Sequence, residues 1–260
     1  MTTPSASPAV AAGTLALLLL AGCSGAQPDA QPGAPSDSQP PAVAAAQPST
    51  TMNTLTSEES AAGWRLLFDG RTLDGWRGYQ QQTAPEGWQV ADGVLTKPGS
   101  AGDIVTNDQF GDFELSFDWK LEKGGNAGVF YRATEEYEHI YWSGPEYQLL
   151  DNPNHPDGRN PLTSAGAAYG LYPPPDGVVK PAGEWNTSRI LVRGNHVEHW
   201  MNGQKLLEYE LGSPDWAAKV KASKFGEWPN YGRAARGHIG IQGDHSGTLE
   251  LRNVKLRELR

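Results

Sequence analysis

The clearest pattern in the chain is the stretch "DFELSFDWKLE". Phe113, Leu115, Phe117, Trp119 and Leu121 alternate with Glu114, Ser116, Asp118, Lys120 and Glu122. A period of two predicts an antiparallel strand with one buried and one outer face. Shorter runs of the same kind are "WQVADGVLT", "AGVFYRA", "PEYQLL", "NTSRILVRG", "HVEHWMNG", "KLLEYEL", "GHIGIQ" and "GTLELRNVKLREL". Turn-forming pairs separate them: Asp92-Gly93, Gly124-Gly125, Gly194-Asn195, Asn202-Gly203 and Ser246-Gly247. "VEHWMNGQKLLEY" reads as a hairpin turning at Asn202-Gly203. One short helix is predicted in "SPDWAAKVKAS", with Ser213 as its cap and Pro214 at its first position. No long segment has helical periodicity, and strands do not alternate with helices. These features predict an all-β protein, a two-sheet antiparallel jelly-roll sandwich with long loops.

Composition divides the 260 residues into three parts. All nine Trp and all nine Tyr lie between Trp64 and Tyr231, so the folded domain is expected at 62–260. Residues 24–61 are rich in Ala, Pro, Gln, Ser and Thr and are expected to form a disordered tether, because they offer too little apolar surface to offset ordering entropy. Residues 1–23 end in "LALLLLAGCSG", whose apolar run is too short to span a membrane. It resembles a bacterial lipobox with Cys23 as the lipidated residue, although the preceding segment carries no Lys or Arg; an ordinary signal peptide is the alternative. The lipobox reading predicts a secreted lipoprotein of the outer membrane or periplasm that meets the membrane through its lipid only. Cys23 is the sole cysteine, which excludes an intrachain disulfide. A net charge of −9 without any basic run argues against nucleic-acid binding.

Charged and polar residues on strands narrow the chemistry. Glu114, Asp118 and Glu122 share a face, but their spacing of roughly 13 Å along a strand is too wide for paired glycosidase carboxylates. They read as a solvated outer face. "PEYQLLDNPNHPDG" is different. Glu146 and Gln148 point one way and Tyr147 and Leu149 the other, and buried polar groups need partners or a ligand. Asp151, His155 and Asp157 follow on the loop, and His155 suits proton transfer near neutral pH. "GGNAGVFYR" places Asn126 at a turn and Arg132 at a strand end, where Arg132 either pairs with Glu146 or clamps a ligand. Tyr169 and Tyr172 sit in a Gly/Pro-rich loop, either stacking on sugar or anchoring the core. "GHIGIQGDHSG" puts Gln242 on the face opposite Ile239 and Ile241, with His245 in the turn beyond. His196 and His199 lie on opposite faces of one strand, which argues against a structural zinc site. A Ca²⁺ ion held by loop carboxylates and carbonyls is compatible with the loops. Serine and cysteine nucleophiles lack their motifs.

The segments "LFDGRTLDGWRG", "WQVADGVL", "FGDFELSFDWKLEKGGNAGVFYR", "PEYQLLDN", "GEWNTSRILVRGNHVEHWMNG" and "GHIGIQGDHSGTLELRNVKLREL" together resemble the 3-keto-disaccharide hydrolase family. They run in order over nearly all of residues 63–258. The resemblance implies a concanavalin A-like jelly roll that cleaves glycosides already oxidised at C3. It also implies a functional pairing with a sugar oxidoreductase that supplies the oxidised saccharide. Two departures stand out: Asn126-Ala127-Gly128 replaces the usual Asn-Ser-Gly, and Gln242-Gly243-Asp244-His245 is one residue longer than the usual Gln-x-His. A 3-keto group acidifies the C2 proton, so the chemistry needs a base near C2, donors at the C3 oxygen and an acid at the leaving oxygen. Glu146, His155 and Asp151 are the expected catalytic groups. Asn126, Arg132, Gln148, Tyr169, Gln242 and His245 are the expected substrate contacts. A non-catalytic carbohydrate-binding module and a structural surface lipoprotein domain are the rival readings; binding alone favours aromatics and amides rather than His and acids.

Overall fold

The structure, a computed structural model, describes residues 51–259. Cys23, the predicted signal peptide and most of the predicted tether lie outside the described residues. Thirteen strands form two antiparallel sheets. The larger sheet contains β1 (Arg65–Leu66), β3 (Gln89–Ala91), β4 (Val94–Lys97), β6 (Phe113–Leu121), β9 (Asn186–Arg193), β10 (His196–Met201), β11 (Gln204–Glu210) and β13 (Leu249–Glu258). Its order is β11-β10-β9-β6-β13-β4-β3, with β1 added to β13. The smaller sheet contains β2 (Trp76–Gly78), β5 (Ile104–Thr106), β7 (Asn126–Ala133), β8 (Glu146–Leu150) and β12 (His238–Ile241), in the order β2-β5-β12-β7-β8. This is the predicted two-sheet sandwich.

The alternation along β6 is realised. Phe113, Leu115, Phe117, Trp119 and Leu121 all enter one core with Tyr147, Leu149, Ile239 and Ile241 from the smaller sheet. Phe117 meets Tyr147 edge to face across the sheets, at 5.9 Å between ring centroids. The β10–β11 hairpin turns at Asn202-Gly203, both at positive φ (50° and 83°), the geometry that favours Asn-Gly. Helix α2 (Pro214–Ala222) is capped by Ser213, whose side chain accepts from the Trp216 N–H.

Two sequence expectations need correction. The outer face of β6 is not fully solvated: Glu114 is buried beneath Arg189 and Arg257, which neutralise it. The domain also begins before residue 62. Residues 57–61 form helix α1 (Ser57–Ala61), closed by a capping box between Thr56 and Glu59. Asn53 exchanges hydrogen bonds with Asn253 of β13 at 2.7 and 2.8 Å. Low apolar content misleads here because polar pairing holds the segment.

Candidate active site

The site lies on the face of the smaller sheet turned away from the sandwich core. Strand alternation sends Tyr147 and Leu149 inward and leaves Glu146 and Gln148 on this face, although every residue of β8 is buried. The neighbouring strand β7 pairs Phe130 with Glu146, Gly128 with Gln148 and Asn126 with Leu150. Gly128 matters by its lack of a side chain. A Cβ there would fall well inside contact distance of Glu146 Oε1, so the strand yields its space to the carboxyl group.

A cavity of about 340 Å³ opens over these residues, lined by Asn126, Tyr141, Glu146, Gln148, Asp157, Tyr169, Lys224, Gln242, Asp244 and His245. Six of the nine expected site residues are therefore together: Asn126, Glu146, Gln148, Tyr169, Gln242 and His245. Glu146 is 5% exposed, and burial pushes its carboxyl up to about 8. Lys224 opposes that shift, while Asp103, Asp244 and Asp157 add to it. The Gln148 amide bridges two neighbours. One end lies 3.1 Å from Asn126 Oδ1, and the other 2.9 Å from Glu146 Oε1. With its nitrogen towards Asn126, its oxygen accepts only from a protonated Glu146. Turned over, it donates to the ionised carboxylate, so amide orientation and proton occupancy are linked. Gln242 is buried, and its Oε1 accepts no hydrogen bond from the described residues.

The loop beyond β12 is held by two groups that sequence reasoning missed, the buried Lys97 and the half-buried Asp103. Lys97 Nζ donates to the carbonyls of Gly99, His245 and Gly247. The Asp103 carboxylate accepts from the Gly243 N–H at 2.7 Å, and burial raises Asp103 to about 6. These bonds fix the segment Gln242-Gly243-Asp244-His245 at its second and fourth residues. Gly243 packs so closely on Gly102 that a side chain there would collide with the Gly102 carbonyl.

Three expected residues are elsewhere. Asp151 does not line the cavity; its Oδ2 accepts from the Gly124 N–H and the Asn154 amide, so it fastens the loop after β8. His155 does not line it either. Its Nδ1 accepts from the Asp157 N–H and caps the short 3-10 turn Pro156–Arg159, and it is Asp157 that faces the cavity. Arg132 pairs with neither Glu146 nor a ligand there. A β-bulge sets Tyr131 and Arg132 of β7 opposite the single residue Ile239 of β12, and Arg132 takes φ +49°. Its guanidinium instead reaches the Gly111 carbonyl and Asp112. Of the two loop tyrosines, Tyr169 faces the cavity, whereas Tyr172 stacks on Tyr209 and bonds Asp215.

Lys224, Tyr141 and Asp244 were not anticipated. Lys224 stands on the 3-10 turn Lys224–Glu227 after α2, with Nζ 4.4 Å from the Tyr169 ring centroid and 5.4 Å from that of Tyr141. Nothing in its local sequence marks it, because only the fold brings the turn after α2 to the cavity beside Glu146 and Gln148. Among the described residues, one cluster with metal-ligand geometry joins His196, Glu198 and Glu208. It lies on the outer face of the other sheet, and Lys205 already sits 2.6 Å from Glu208. The side chains of His196 and His199 do face opposite ways: His199 is buried against Tyr131 and the Gly166 carbonyl.

The profile of the 3-keto-alpha-glucoside-1,2-lyase-like domain matches residues 63–257. The chain belongs to this family. It is 35% identical over 240 residues to the 3-keto-disaccharide hydrolase of Bacteroides thetaiotaomicron, covering 80% of this chain and 82% of that one. Two solved structures from Parabacteroides distasonis, both provisionally described as glycosyl hydrolases, share the architecture. One is 37% identical with TM-score 0.77, covering 81% of this chain and all of that one. The other is 32% identical with TM-score 0.59, covering 75% of this chain and 99% of its own.

Proposed function

We propose that this member of the 3-keto-alpha-glucoside-1,2-lyase-like family is a carbohydrate-active enzyme that cleaves 3-keto-glycosides, with Glu146 as the base at C2. The observation that carries the reading is a buried carboxyl whose pKa is raised to about 8, set among amides and tyrosines in a cavity that also holds Lys224, His245, Asp157 and Asp244. A carboxylate made more basic by burial is a stronger acceptor for a carbon-bound proton. A binding module has no need of one.

The ionised Glu146 takes the C2 proton, and the C2–H electron pair moves into the enediolate with charge on the C3 oxygen. Lys224 and the amides of Asn126 and Gln148 are the donors available to that charge. The enediolate collapses, a C1–C2 double bond forms, and the C1–O bond breaks. His245, on the rim beside Asp244 at 3.9 Å, protonates the departing oxygen. Water addition across the double bond then gives net hydrolysis. Tyr141 and Tyr169 stand in the cavity wall beside the sugar.

The test is incubation of the purified protein with a 3-keto-disaccharide and its unoxidised parent in deuterated water. Cleavage of the keto form alone, with deuterium appearing at C2, is expected. Equal cleavage of the parent sugar would overturn the reading.

A further inference from the structure

A second cavity is larger than the one over Glu146. It measures about 600 Å³, shares no lining residue with the first, and lies between α2, the segment 226–235 and the β9–β10 and β11–α2 turns. Its floor holds the guanidinium that the bulge in β7 removes from the first cavity. Arg132 is 5% exposed, and a non-glycine residue at positive φ inside a buried strand is a conformation that needs a reason. Its Nε donates to Gly111 and its Nη2 to Asp112, but its Nη1 donates to none of the described residues. Asp112 is itself occupied, accepting also from the Gly194 N–H. Lys221 and Arg233 line the same cavity, and neither forms an ion pair among the described residues. Three cations against one carboxylate stand out in a protein of net charge −9. The wall is aromatic: Trp216 is stacked into a column with Tyr231 and Tyr209, and Trp228 is backed by Trp142 at 4.0 Å.

We propose that this cavity is a second binding site, which takes the carboxylate of an acidic saccharide on Arg132, with Lys221 and Arg233 at its mouth and the sugar ring against Trp228. A planar guanidinium with a free N–H suits a carboxylate, and burial strengthens the bond. The anionic part of this assignment rests on the cavity alone. The saccharide part rests on the function proposed above.

The test is calorimetric titration of the full chain with glucuronate, glucose and inorganic phosphate. Glucuronate is expected to bind, more tightly than phosphate, and to weaken as salt is raised. Glucose should not bind this cavity. The double substitution Lys221→Ala/Arg233→Ala, at exposed positions that leave the fold intact by circular dichroism, should weaken glucuronate at least about tenfold. Glu146→Gln should leave glucuronate affinity unchanged while cutting cleavage of the 3-keto sugar by roughly 10²–10⁴-fold, which separates the two sites. No glucuronate binding up to ~10 mM, tighter binding of phosphate, or a loss caused by Glu146→Gln rather than by the double substitution would overturn the proposal.

Discussion

Glu146 holds its proton in the folded protein over a range in which the unfolded chain has lost it, since burial raises the group from 4.5 to about 8. Two consequences follow with definite sign. A base must be ionised, so the rising limb of kcat/KM against pH should have its midpoint at about 8. Glu146→Gln should lower kcat by roughly 10²–10⁴-fold at the parent's optimum pH, the usual cost of losing a general base. Stability runs the other way. A carboxyl with a raised folded-state pKa contributes fully below 4.5, and that contribution is lost as pH rises to about 8. Glu146→Gln keeps a neutral amide at all pH values. Its melting temperature should match the parent near pH 4.5 and exceed it by several degrees at pH 8, as thermal unfolding at both pH values would show. No pH dependence of that difference would mean the carboxyl is not buried as described.

At the scale of strands and turns, half of the site is written in period two and half is not. Glu146 and Gln148 could be placed on one face from alternation alone, as could Gln242 opposite Ile239 and Ile241, because flat pairing preserves the pattern. Arg132 could not: the bulge at Tyr131-Arg132 adds a residue to one strand, and nothing in "GVFYRA" announces it. His155 and Asp151 carry chemistry-bearing side chains but use them on loop backbone, His155 on its own turn and Asp151 partly on Gly124 of the β6–β7 turn, a competition that residue type does not reveal. Lys224 lies far along the chain from β8 and is found only through the fold. Two elements can be tested directly. Gly128→Ala in β7 should displace the Glu146 carboxyl and cut activity about as deeply as Glu146→Gln, whereas Ala at a glycine facing open space, such as Gly99, should do little. Lys224→Ala removes a charge that holds Glu146 down, so the pH–rate midpoint should move up. Lys224→Arg should restore it. An unmoved midpoint would remove Lys224 from the account.

Across the whole molecule, the sandwich was legible because its strands alternate cleanly, whereas its N-terminal edge was not, because that edge is built from polar contacts. Asn53 and Asn253, both at positive φ (51° and 53°), satisfy each other's backbone N–H groups, and the Asn53 amide also donates to the Gly93 carbonyl at 2.7 Å. Glu59 pairs with Lys255 on the same strand, which draws α1 onto β13. These contacts tie residues 51–61 to β13 and to the β3–β4 turn, far from the cavity over Glu146. Asn53→Ala would remove the acceptor for the Asn253 N–H and the donor to Gly93 together. Loss of two hydrogen bonds around a largely buried side chain should cost about 2 kcal/mol of stability, measured by denaturant unfolding. Activity per folded molecule should not change, since Asn53 touches no residue of the site. Asn53→Asp keeps the acceptor and loses the donor, so it should fall between the two. If Asn53→Ala unfolded at the parent's midpoint, the domain would begin where the aromatic residues do.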